Sequence, residues 1–153
     1  MSKEKKIHIT PIQNGTAIDH LPIGTALKIL SAIDFSGHTF TAAMNVESKK
    51  MGKKDILFVE GKKLTEEELN KIRLLGKGGT LNEIAEAKVV KKENLDYPEH
   101  ANGIISCIND KCITNKEGLI TKFRIAKNPL EARCFYCETR MNKEEIMESV
   151  KGP

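Results

Sequence analysis

The chain has 153 residues, and its 25 lysines and arginines against 21 acids give a formal net charge of +4. That near-balance argues against a dedicated nucleic-acid binder, and no apolar run approaches a membrane span. All four cysteines fall after residue 106, so two small domains are expected rather than one.

A charged arm opens the chain and carries no secretory pattern, which makes cytoplasm the expected location. Residues 7–12 alternate as a strand, with Pro11 pushing it towards an edge, and Asn14-Gly15 is a turn. Residues 16–22 read as irregular, with Asp19 and His20 adjacent. Residues 23–33 form a helix whose apolar face is Ala26, Leu27, Ile29, Leu30 and Ile33. A strand is expected over 39–46, with Phe40, Ala42, Met44 and Val46 on one face, then a basic hairpin and a second strand over 54–60. Thr65 and Glu68 write a capping box, Leu64 and Leu69 a hydrophobic staple, and Gly76 stops the helix. Gly76-Lys77-Gly78-Gly79-Thr80 lacks the spacing of a phosphate loop.

Short strands over 80–84 and 87–92 complete the order strand, helix, strand, strand, helix, strand, strand. That order predicts an α+β fold: a ferredoxin-like sandwich with two helices on one face of a mostly antiparallel sheet. A polar linker spans 93–102. Beyond it, a small mostly β domain is expected, with strands over 103–106, 119–125 and 132–133 and a final helix over 142–150.

Cys107 and Cys112 form one close pair and Cys134 and Cys137 another. Two such pairs can bring four sulfurs to the corners of a tetrahedron, which closes the coordination shell and makes the site structural. Spacing alone leaves iron and two disulfides open, and zinc is the favoured occupant. A C-terminal piece this small also needs a staple beyond burial.

Asp19-His20-Leu21-Pro22 after the Asn-Gly-Thr turn, Met51-Gly52-Lys53-Lys54-Asp55, Tyr97-Pro98-Glu99 and the four cysteines occur in one order over nearly the whole chain. Together they resemble the aspartate carbamoyltransferase regulatory chain family. The resemblance implies a non-catalytic allosteric subunit in pyrimidine biosynthesis. It implies residues 1–97 as a nucleotide-binding domain that pairs with a second regulatory chain. It implies residues 98–153 as a domain that holds one structural Zn2+ and grips the catalytic chain.

By position, the family's effector site for CTP, ATP or UTP falls on Lys6, Ile9, Thr10, Ile12, Asp19, His20, Lys54, Asn82, Ile84, Val89 and Lys92. The chemistry is coherent, since lysines suit phosphates, Asp19 suits ribose hydroxyls and strand ends can read a base edge. Phe58 stands where the family has a further lysine, and Ala87 where a tyrosine is common. The catalytic-chain contact maps to Asn109, Lys111, Glu138 and Arg140. Here Lys111 replaces a frequent asparagine, and Arg140 lies one place past a frequent lysine now filled by Thr139.

The competing reading is a zinc-ribbon nucleic-acid module. Against it, Asp110, Glu117 and Glu131 interrupt the basic residues, and only Phe123, Phe135 and Tyr136 could stack on bases. His8, His38 and His100 have no ligand spacing, and no nucleophile–base signature suggests an enzyme.

Overall fold

The computed structural model describes residues 13–153. Its first unit contains β1 (Gly15–Leu21), α1 (Thr25–Ala32), β2 (Phe40–Ser48), β3 (Gly52–Glu60), α2 (Glu66–Leu75), β4 (Thr80–Ala85) and β5 (Lys88–Asn94). The strands form one antiparallel sheet in the order β2-β3-β1-β4-β5. Its first four strands follow the ferredoxin-like order, and β5 extends the sheet past β4 as a hairpin. Ile18, Leu57, Val59 and Leu81 of the sheet pack against Ile29 and Ala32 of α1 and Ile72 and Leu75 of α2, which makes the two-layer core.

Among the described residues the first strand of this sheet is β1, over the stretch that pattern alone reads as irregular. The expected strand at 7–12 lies outside the described residues. Thr16, Ala17, Ile18 and Leu21 are all buried, but the register shifts between Ile18 and Leu21, and His20 takes a positive φ of 56°. That bulge destroys the period-two signal while keeping the strand. A second departure is on β2. Phe40, Ala42 and Met44 face solvent, and a bulge at Asn45 (φ 59°) sits between them and half-buried Val46. Leu27, expected on the inner face of α1, points outward. Ala87 belongs to a turn with Glu86 rather than to β5, both at positive φ.

Asp55 organises one end of this unit. It is fully buried, and its carboxylate accepts from the backbone N–H of Gly24 (2.9 Å), Ala26 (3.2 Å) and Asn45 (2.9 Å). One side chain on β3 thus caps α1, which has no N-cap side chain of its own, and pins the β2 bulge. At α2 the capping box forms as expected, with Thr65 Oγ1 accepting from Glu68 N and Glu68 Oε1 from Thr65 N.

The guanidinium of Arg73 on α2 grips Glu93 on β5 through two bonds of 2.9 Å. This fork holds the Glu93 carboxyl below its ordinary value. Its stabilisation is therefore complete above the unfolded carboxylate pKa and is lost as pH falls through the lower, folded value. Replacing Glu93 with glutamine is expected to cost about 1 kcal/mol at pH 7 and less as pH drops below about 4. Thermal melts at pH 7 and pH 3 check this, and an equal loss at both would contradict it.

The second unit contains β6 (His100–Asn102), α3 (Ile113–Glu117), β7 (Lys122–Ala126), β8 (Glu131–Cys134), β9 (Arg140–Asn142) and α4 (Lys143–Glu148), with an antiparallel sheet in the order β6-β7-β8-β9. The expected strand at 103–106 does not form. Ile104 and Ile105 are buried core residues, and Ile105 makes a lone bridge to Val150. The linker is also shorter than expected, because β5 runs to Asn94 and β6 starts at His100.

The units meet at a seam. Leu74 of α2 belongs to the second core, while Met147 and Val150 touch both cores. Buried Lys71 donates to the carbonyls of Ala32, at the end of α1, and Gly152, in the C-terminal tail, at 2.9 and 3.4 Å.

Candidate metal centre and effector face

Each cysteine pair sits on a tight backbone loop. In the first, Cys112 N donates to Asn109 O at 2.9 Å, and the Asn115 side-chain amide donates to the carbonyls of Cys107 and Asn109, both at 2.9 Å. In the second, Cys134 N donates to Thr139 O and Glu138 N to Cys134 O, with Glu138 at a φ of 62°. The loops face one another, and all four Sγ atoms lie within 4.8 Å of each other. Cys107 Sγ is 3.6 Å from Cys137 Sγ, and Cys112 Sγ is 3.8 Å from Cys134 Sγ. A tetrahedron with metal–sulfur bonds of about 2.3 Å has edges of about 3.8 Å, so the residues fit a four-thiolate metal. The thiols are free, not disulfide-bonded.

Burial pushes the Cys107 and Cys134 thiols up, as an apolar pocket does to any group that must ionise. Burial also raises Cys137, but hydrogen bonds from Thr139 and the Asn109 side chain outweigh it and hold this thiol at about 6. A divalent cation among the four sulfurs would favour the thiolate form of each, so the cluster suits metal binding.

In the first unit, sheet register aligns Thr41, Phe58, Ala17, Asn82 and Lys92 in one row across the face opposite the helices. Lys54 lies on the same face as Phe58, because Asp55, Leu57 and Val59 alternate inward. Lys54 Nζ pairs with Asp19 Oδ1 at 2.9 Å, and the His20 backbone N–H donates to the same carboxylate oxygen at 2.6 Å. Burial raises the Asp19 carboxyl, and the Lys54 and His20 bonds outweigh it to leave the pKa below the ordinary value. His20 Nδ1 lies 3.4 Å from Thr80 Oγ1. Asp19, His20 and Lys54 are therefore one cluster. Asn82 pairs with Lys92, and Ile84 with Val89, on the adjacent β4–β5 hairpin. Lys6, Ile9, Thr10 and Ile12 lie outside the described residues.

Asn109 and Glu138 occupy the two cysteine loops, and Lys111 is exposed on the first. Arg140 is on β9, with its Nε 3.6 Å from Glu131 Oε1. Reading by residue type passes over the apolar character of these loops. Ile108, Ile113, Tyr136 and Phe135 are all exposed, Phe135 by 72%. The signal was their place next to metal ligands, since the cysteines claim the interior and turn the intervening residues outward.

A ferredoxin-like sheet unit joined through a packed seam to a four-thiolate metal unit defines a two-part, metal-stapled class of chain. Residues 7–96 match the family described as aspartate carbamoyltransferase regulatory chain, allosteric domain, and residues 99–147 match its metal binding domain. The chain is 47% identical over 150 residues to the aspartate carbamoyltransferase regulatory chain of Pyrococcus horikoshii, covering 95% of this chain and 99% of that one. It is 45% identical over 139 residues to that of Methanococcus maripaludis, covering 90% and 94%. For the Sulfolobus acidocaldarius chain the identity is 40% over 153 residues, covering 97% and 93%. The chain belongs to the aspartate carbamoyltransferase regulatory chain family, with its allosteric and its metal-binding domain. No helix among the described residues is long and apolar enough to cross a membrane.

Proposed function

We propose that this chain is a cytoplasmic, non-catalytic subunit that reports nucleotide levels to an aspartate carbamoyltransferase catalytic chain. In this reading residues 1–97 bind a nucleoside triphosphate on the outer sheet face and pair with a second copy. Residues 98–153 hold one zinc ion through Cys107, Cys112, Cys134 and Cys137. The observation that carries the effector assignment is the grouping of Asp19, His20 and Lys54 beside Asn82 and Lys92 on the sheet face opposite α1 and α2. Lys54 and Lys92 take the phosphates, and Asp19 the ribose. Asp19 and Lys54 already hold one another, so a ligand that takes both must share or replace that ion pair. Phe58 leaves apolar surface in the same row, where the family pattern carries a cation, so the phosphates rest on fewer charges.

The metal unit contacts the catalytic chain through Asn109, Lys111, Glu138 and Arg140. Support comes from the exposed apolar residues on the same loops, since an apolar patch beside polar anchors is the usual make-up of a protein interface. Co-purification with the catalytic chain tests the partner directly. For the effector, Lys92→Ala is expected to cost about 1.5 kcal/mol of triphosphate binding, roughly tenfold, and leave the nucleoside nearly unchanged. Calorimetric titration of both ligands measures the difference, and equal affinities in mutant and parent would remove Lys92 from the site.

A further inference from the structure

The second cysteine of each loop is followed two residues later by a threonine, in Cys112-Ile113-Thr114 and in Cys137-Glu138-Thr139. In both cases Thr Oγ1 lies 3.1 Å from the cysteine Sγ. Thr114 is 5% exposed on the first turn of α3, and Cys112 Sγ is the partner of its hydroxyl among the described residues. The first cysteines of the loops have no such hydroxyl. Nearby backbone N–H groups, of Asn109 for Cys107 and of Tyr136 and Cys137 for Cys134, act to lower those thiols instead, and on Cys137 the Thr139 backbone and the Asn109 side chain act alongside the hydroxyl.

A metal-bound cysteine is a thiolate and can only accept a hydrogen bond. Four thiolates around one divalent ion leave two negative charges in a largely buried site, and such charge is costly unless donors point at it. With the proton gone from sulfur, each of these two hydroxyl contacts can only run from threonine to sulfur. We propose that Thr114 and Thr139 are positioning residues whose hydroxyls donate to the Cys112 and Cys137 thiolates and hold them on the metal. This rests on the reading that the four cysteines bind a divalent ion.

The test uses the full-length chain loaded with zinc or with cobalt(II). Thr114→Val and Thr139→Val remove each hydroxyl with little change of shape, and the matching serine variants keep it. Transfer of zinc to a coloured chelator is expected to run about tenfold faster in each valine variant and at close to the parent rate with serine. In the cobalt form, a thiolate that loses its donor is more electron-rich. Its sulfur-to-metal charge-transfer band is expected to move to lower energy with valine and to stay in place with serine. A loss of packing alone would speed release without this difference between valine and serine. If Thr114→Val loads no metal, Thr139→Val and both serine variants carry the comparison. A parent chain with the four-thiolate band, and valine variants that match it in band and release rate, would overturn the proposal alone. A parent chain that shows no four-thiolate band would overturn the metal reading and the proposal with it.

Discussion

Removing the metal, or replacing Cys134 with serine, is expected to unfold the second unit while the first sheet stays formed. The second core is small: Ala101, Ile104, Phe123, Ile125, Ala132, Met141 and Ile146 surround two loops, each closed by its own hydrogen bonds, whose four sulfurs meet between them. A piece of this size gains little net stability from burial, whereas a four-thiolate zinc site contributes an apparent ~10–16 kcal/mol at neutral pH. Without the ion, four thiols packed within one site replace a bonded centre, and the metal–sulfur bonds that hold the loop after Cys107 against that after Cys134 are lost. Mercurial titration should release about one metal per chain, on the arithmetic of one ion for four ligands. Loss of amide dispersion from 99–147, followed by NMR as the metal leaves, is the measurement. A metal-free chain whose second unit keeps native dispersion would disprove the dependence. Leu74 sits in that second core, so the first unit should also lose some stability, though not its sheet.

Replacing Asp55 with alanine should be the most damaging single change in the first unit, at about 3–5 kcal/mol. Three backbone N–H groups lose the one buried side chain that accepts from them all, and an orphaned buried donor costs about 1–3 kcal/mol. The start of α1 and the bulge at Asn45 would loosen together, because one carboxylate serves both. Asparagine keeps one oxygen and should cost less than alanine, since it can still accept from some of these donors. Urea melts of the two variants rank the effects. A loss under 1 kcal/mol for alanine would mean that the helix start and the bulge hold themselves.

Much of this was legible in the sequence because it rests on local chemistry. Thr65 and Glu68 define a helix start by spacing alone, and the cysteine pairs define a metal site by ligand type. β1 escaped because its bulge puts Asp19 and His20 out of phase with Ile18 and Leu21. Val46 parts from Phe40, Ala42 and Met44 for a related reason, the bulge between Ala43 and Val46. Phe40, Ala42 and Met44 alternate correctly, but an edge strand with a bulge need not turn its apolar side inward. The grouping of Asp19, His20 and Lys54 came from resemblance. No local pattern shows that Lys54 reaches across from β3 to Asp19 on β1. The two threonines beside the sulfurs were invisible for the opposite reason, since hydroxyls two residues from a cysteine are commonplace and only a distance sets these apart.

The seam has a mechanical consequence. The second unit follows the first through the short chain between Asn94 and His100, and its tail returns so that the Gly152 carbonyl meets Lys71. Between these two crossings lie Leu74, Met147 and Val150, each of which belongs to or touches the second core. The seam therefore acts as a latch, because one unit cannot turn against the other without drawing these side chains out of apolar surroundings.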